Sequence, residues 1–224
     1  MPVIVVSTPK GGAGKSTTCL VLGTILANEG ATVTILDTDP QRTLYKWALA
    51  GKSRYADLVK YVDDPKTLVD MIDKEAAEKQ FVIIDVQGRA TVTIARAATR
   101  ADLILIPTQA KSADAEEAAE AVSLIRDEEK ALRRNIPHRF VYTRTNAGVP
   151  TREQRQIESD MRQAGVALLS NHLNERTAFS QMIGYKVALD ELDPNEVNGI
   201  SQAKANASKF VGEVLEILTG GKND

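Results

Sequence analysis

Lys10-Gly11-Gly12-Ala13-Gly14-Lys15-Ser16-Thr17 is the stretch whose reading decides the fold of this chain. Upstream lies the apolar run Val3-Ile4-Val5-Val6 and downstream the apolar helical pattern around Cys19-Leu20-Val21-Leu22, so the local order is strand, glycine loop, helix. That order matches the phosphate-binding pattern G-x-x-x-x-G-K-[ST], with Pro9 standing where the strict pattern has glycine. Gly11, Gly12 and Gly14 let the backbone N–H groups from Gly11 through Ala13 to Lys15 turn inward on an anion at a helix N-terminus. Lys15 stands at the phosphate-lysine position and Ser16 at the hydroxyl that ligates Mg²⁺. Thr17 offers a further phosphate contact. A second lysine, Lys10, opens the loop.

Similar apolar runs recur along the chain and predict strands: Val3–Ser7, Thr32–Leu36 ending at Asp37, Phe81–Ile84 ending at Asp85, Leu103–Ile106 ending at Pro107, Arg139–Thr143, and a sixth at Val166–Leu169. They are nearly continuous in hydrophobicity, as befits strands buried on both faces of a parallel sheet. Helical patterns separate them at Ser16–Asn28, Arg42–Ala50, Pro65–Lys79, Thr91–Thr99 and Ala113–Arg134. Further helices are expected at Thr151–Ala164, Glu175–Gly184 and Glu196–Leu218, the last with a break near Gly199. The alternation predicts an α/β fold: a doubly wound, mostly parallel sheet with helices on both faces. Residues 1–219 are expected to form one domain, and 220–224 a frayed tail.

Ligands in such sheets sit at the carboxyl ends of the strands. The glycine loop, Asp37, Asp39 and Asp85 all fall there. Asp85, after four apolar residues, is expected to hold a water on Mg²⁺. Asp37 and Asp39 are expected to face opposite ways and to divide the work. Asp37 would sit near the metal shell and Asp39 would orient the attacking water. Asp39, just before Pro40, would also suit an N-cap.

Lys10 is redundant in a site that already holds Lys15, unless two nucleotides face each other across a dimer. Two Mg·ATP sites would repel one another in a low-dielectric interface. A lysine reaching across to the partner's phosphates would offset that repulsion, in the manner of an arginine finger supplied in trans.

On these residues the chain resembles the ParA/MinD group of deviant Walker A ATPases, which are P-loop NTPases. The resemblance rests on the Lys10–Thr17 loop, Asp37-Thr38-Asp39-Pro40-Gln41, the Phe81–Asp85 strand and Ile106-Pro107-Thr108-Gln109. Asp114 and the segment Glu175-Arg176-Thr177-Ala178-Phe179 followed by Gly184 extend it more weakly. The resemblance implies that Lys10 is the signature lysine and Lys15 the loop lysine. It also implies that Asp39 positions the hydrolytic water and that Asp85 is the Walker B acid. One departure is Val86-Gln87-Gly88-Arg89 after that acid: Gly88 can still offer an amide to the γ-phosphate, whereas Arg89 has no assigned role. Because the fold starts at once with its first strand, the chain resembles the short ParA class without a separate operator-binding domain. What this implies is a slow cytoplasmic, nucleoid-associated ATPase using ATP and Mg²⁺. It would dimerise on ATP, bind double-stranded DNA non-specifically, and release it when a centromere-binding, ParB-like partner stimulates hydrolysis.

Composition constrains these implications. The net charge is −2, so any DNA contact needs a local patch rather than bulk basicity. Basic residues outnumber acidic ones by three over 126–162, and the candidate DNA contacts are Arg152, Arg155, Arg162, Arg176, Lys186 and Lys204. The lone cysteine, Cys19, excludes an internal disulfide or an iron–sulfur site within one chain, and with it a nitrogenase-reductase-like role. Glu213 and Glu216 among Val211, Val214, Leu215, Ile217 and Leu218 read as core packing rather than a basic membrane anchor, so no membrane partner is expected. The competing readings are a dethiobiotin synthetase-like metabolic enzyme and a positioning ATPase for a protein cargo.

Overall fold

The structure, a computed structural model, describes residues 1–9, 11–87, 91–109, 114–148, 150–163 and 165–220. Lys10, Gly88 and Arg89 lie outside the described residues, as does the expected tail beyond 220.

The strands are β1 (Val3–Val6), β2 (Val33–Asp37), β3 (Val59–Tyr61), β4 (Phe81–Asp85), β5 (Leu103–Gln109), β6 (His138–Thr145) and β7 (Leu173–Asn174). The helices are α1 (Lys15–Asn28), α2 (Thr43–Leu49), α3 (Leu68–Glu78), α4 (Thr91–Ala98), α5 (Asp114–Leu132), α6 (Arg152–Gln163), α7 (Thr177–Tyr185) and α8 (Ile200–Leu218). Among the described residues the strands form one seven-stranded sheet in the order β3-β2-β4-β1-β5-β6-β7. Every pairing is parallel.

The sheet is covered on both faces, and this explains the unbroken apolar runs. Ile4, Val6, Ile35, Ile83, Leu103 and Leu105 point into a core shared with α1, α2, α7 and α8. Val3, Val5, Leu36, Val82, Ile84, Ile104 and Ile106 point into a second core that includes residues of α3, α4, α5 and α6. Neighbouring residues of one strand serve opposite cores, so nearly every position of the central strands is apolar. In the first core Trp47 is fully buried and its indole Nε1 donates to the Met182 carbonyl at 2.9 Å, which ties α2 to α7. Gly23 of α1 lies against Ile35, where a Cβ would approach the Ile35 Cδ1 to 2.6 Å, so a larger residue here would force the Ile35 side chain to shift. Val211 and Val214 of α8 are buried in the same core, as their pattern predicted.

Two expectations are corrected, and one strand was not anticipated. The sixth strand does not form at Val166–Leu169: Leu168 makes only an isolated bridge to Phe140, and the strand beside β6 is Leu173–Asn174. Its apolar residues follow from burial, since Leu168 and Leu169 are both buried. The last helix starts at Ile200 rather than Glu196; the break expected near Gly199 is present and marks that start, because Gly199 adopts a left-handed conformation (φ 74°) that an incoming helix cannot continue. β3 was not expected at all.

Candidate functional site

The loop between β1 and α1 lies at the carboxyl edge of the sheet, between the ends of β4 and β5. Gly12 (φ 76°) and Gly14 (φ 92°) are both left-handed, and at Gly14 a Cβ would also meet the Thr143 Cγ2 at 3.4 Å. Gly14 caps α1, and its carbonyl accepts from the Thr18 N–H at 2.8 Å and the Thr18 hydroxyl at 2.9 Å. The first turn of α1 carries no acidic residue, so its positive end is left for an external anion. Two side chains from the sheet hold the loop from below. The Thr143 hydroxyl donates to the Ala13 carbonyl at 2.8 Å and lies 3.2 Å from the Thr108 carbonyl. The Gln109 Nε2 donates to the Gly12 carbonyl over a longer 3.4 Å.

Ser16 and Asp85, each expected at the Mg²⁺ position, lie against one another. The Ser16 hydroxyl donates to Asp85 Oδ2 at 2.7 Å. Asp85 is fully buried, and its Oδ1 has no hydrogen-bond partner among the described residues. Burial above all pushes this carboxyl up to about 7. Asp37 and Asp39 add to the shift, while the Ser16 hydroxyl and Lys15 oppose it. An orphaned carboxylate oxygen beside a serine hydroxyl is a hard donor set that fits Mg²⁺, which takes one or two carboxylates with phosphates and waters as its other ligands. Among the described residues no cluster of three or more acidic, histidine or cysteine side chains could hold a metal alone.

Asp37 is also fully buried and sits directly opposite Asp85 in the β2–β4 register. Its Oδ1 accepts from the Asp39 N–H at 3.0 Å and its Oδ2 from the Tyr45 N–H at 2.9 Å. Burial raises its pKa; the backbone N–H groups act the other way and the nearby Asp39 adds to the rise. Residues two apart on a continuing strand would share a face. β2 ends at Asp37, however, and Asp39 beyond it accepts from the Gln41 N–H at 2.8 Å. The capping of α2 thus falls to Asp37, which engages the first turn through Tyr45, and not to Asp39. The residue before α2 is Arg42, in a left-handed conformation (φ 55°). Thr38 locks the two strand ends together, since its N–H and hydroxyl both donate to the Asp85 carbonyl, at 3.1 and 2.8 Å.

Beside the loop lies a cavity of about 180 Å³ whose walls include Gly14, Thr17, Thr143, Asn174, Arg176 and Phe179. The Arg176 Nε is buried without a partner among the described residues. Arg176 therefore stands with the loop, apart from the arginines of α6. On α6, Arg152, Arg155 and Arg162 are exposed, while Gln154, Ile157 and Met161 are buried. The spacing of three and seven residues puts the three arginines on one face. Lys204 is exposed on α8 and Lys186 is half-buried. The site residues missed by sequence reasoning are Thr143 and Thr38. A threonine closing a β-branched run reads as strand propensity, and only the fold shows where its hydroxyl points.

The family model for VirC1 protein matches residues 1–193. The chain is 37% identical over 221 residues to Protein ParA of Rhizobium radiobacter, covering 98% of both chains. Among solved structures it is similar to a Cyanothece McdA variant in complex with ATP, with a TM-score of 0.73 and 15% identity, covering 100% of this chain and 98% of that one. It is also similar to cobyrinic acid a,c-diamide synthase of Mycobacterium smegmatis with a bound ATP analogue and magnesium, with a TM-score of 0.72 and 17% identity, covering 99% and 97%. At these identities the two structures speak for the fold alone. The near-full-length sequence match, the loop and the Ser16–Asp85 pair at the sheet's carboxyl edge converge: the chain belongs to the VirC1 family of ParA-type P-loop ATPases.

Proposed function

We propose that this chain is a DNA-partition switch. ATP closes two copies into a dimer that binds duplex DNA without sequence preference, and hydrolysis, stimulated by a centromere-binding ParB-like partner, releases it. The observation that carries the reading is the 37% identity to Protein ParA over nearly the whole of both chains. No helix among the described residues is long and apolar enough to cross a membrane.

The amides of Gly11 to Lys15 and the N-terminus of α1 hold the phosphates, with Lys15 bridging them as a point charge and Thr17 adding a contact. Mg²⁺, when bound, neutralises charge on the β- and γ-phosphates. Ser16 would ligate it, Asp85 would hold a water on it, and Asp37 would stay in its outer surroundings, since backbone N–H groups already engage both of its oxygens. Asp39 orients the attacking water. Lys10 reaches the partner's phosphates. The cavity beside Gly14 and Thr17 takes the nucleoside. The α6 face of Arg152, Arg155 and Arg162 contacts the DNA backbone, and in a dimer each such face counts twice. Residues 1–219 act as one ATPase unit.

The test is ATP turnover and DNA binding, measured with and without nonspecific duplex DNA. The switch reading expects DNA retention only with ATP and Mg²⁺. ATP hydrolysis with no ATP-dependent DNA binding would move the chain to the metabolic class of this fold, or to a protein cargo.

A further inference from the structure

We infer that Thr143, assisted by Gln109, is the positioning residue that aims the phosphate loop's amides and so sets how tightly the chain holds a nucleoside polyphosphate. The inference rests on the nucleotide-binding reading above.

In a planar trans peptide the C=O and the N–H of one unit point in opposite directions. The Ala13 carbonyl belongs to the same unit as the Gly14 N–H, and it is held at 2.8 Å by the Thr143 hydroxyl. The Gly14 N–H must therefore point away from β6. The preceding unit is held in the same way: the Gly12 carbonyl accepts from Gln109, which turns the Ala13 N–H outward. Gln109 and Thr143 are direct partners in the β5–β6 register, so the two pins stand side by side at the carboxyl edge. Two successive amides turned to one side form the concave donor surface that takes an anion.

The loop needs such pins. Gly12 and Gly14 flank Ala13 with left-handed backbones, and glycine leaves these torsions free to reverse. A hydroxyl has one proton to give, and the shorter bond, to Ala13, takes it. The longer approach, to the Thr108 carbonyl, adds little to a strand pair that the backbone ladder already joins from Ile104 to Gln109. Thr143 is buried, so no water replaces its hydroxyl once it is removed.

The test compares Thr143→Val, which keeps the shape and loses the hydroxyl, with Thr143→Ser, which keeps it. Two quantities are read: ADP·Mg²⁺ affinity by calorimetry and the Gly14 amide shift on ADP binding by ¹H–¹⁵N NMR. Thr143→Val is expected to weaken ADP binding by about tenfold, the loss of one hydrogen bond to a charged group, and to diminish the Gly14 shift. Thr143→Ser is expected to restore both. Gln109→Met, at a half-buried position that should not disturb folding, is expected to reduce the Ala13 amide shift. Full ADP affinity in Thr143→Val, or an unaltered Gly14 shift, overturns the inference. Should Thr143→Val not fold, Gln109→Met carries the test, and an unmoved Ala13 shift overturns it. Wild-type protein that takes up no ADP removes the nucleotide reading, and the inference with it.

Discussion

The Ser16 hydroxyl and the Asp85 carboxylate, 69 residues apart in sequence, meet at 2.7 Å at the carboxyl edge of the sheet. The bond occupies one oxygen of a buried carboxylate and leaves the other without a partner among the described residues. A buried, unsatisfied charge is costly unless something else completes it. A hydrated Mg²⁺ arriving with phosphate supplies both the opposite charge and the missing donors.

Ser16→Ala and Asp85→Asn are therefore expected to cut Mg²⁺-dependent ATP turnover by about two orders of magnitude. Asp85→Asn also removes the burial cost of the carboxylate, so the nucleotide-free variant should unfold at no lower denaturant concentration than wild type. Steady-state turnover across a Mg²⁺ titration, with urea unfolding alongside, checks both. Retained Mg²⁺-dependent turnover in both variants would contradict the metal assignment.

A separate buried carboxylate predicts acid sensitivity. Glu75 is almost wholly buried; its carboxylate accepts from the Lys60 ammonium at 2.6 Å and the Thr34 hydroxyl at 2.7 Å. Burial alone would raise its pKa. The bonds from Lys60 and Thr34, with the charges of Lys60 and Lys79, outweigh burial and hold it below the ordinary value. A lowered folded-state pKa means that the stabilisation is present above the unfolded value and is lost as pH falls through the folded one. Glu75→Gln should thus cost about 1–3 kcal/mol at pH 7. The gap to wild type should close as pH falls below about 4. Urea unfolding at a series of pH values measures it, and a pH-independent gap would contradict the account.

The α6 arginines give a third prediction. Replacing Arg152, Arg155 and Arg162 together by Ala should weaken duplex DNA binding uniformly across sequences. It should reduce the salt slope by about one for each phosphate that no longer meets an arginine, while basal ATP turnover stays unchanged. DNA binding by filter retention over a salt series reads this directly. An unchanged slope would place the DNA surface elsewhere.

Much of the fold was legible because its central strands are buried on both faces. Val3–Val6, Phe81–Asp85 and Leu103–Ile106 could be read from continuous apolarity, and the loop from its glycines and lysines. The edges were not legible. β3 is Val59-Lys60-Tyr61, three residues with a lysine that faces the Glu75 carboxylate, and β7 is the two residues Leu173-Asn174. Neither is long enough to show a period. Conversely, Val166–Leu169 looked like a strand because burial, not pairing, selects its side chains. In the site, charged residues announced themselves, whereas Thr143 and Thr38 act through hydroxyls whose targets lie in distant segments. Asp37 shows the opposite limit, since its carboxylate was visible but its double backbone engagement was not.

The most direct test of the ATP-driven switch is the mass of the protein in solution with ATP and Mg²⁺, compared with ADP, for wild type and Lys10→Ala. Light scattering should show a wild-type dimer with ATP and a monomer with ADP. Lys10→Ala should remain monomeric in both while still taking up nucleotide. A wild-type monomer in ATP, or a Lys10→Ala protein that dimerises as well as wild type, would contradict the account.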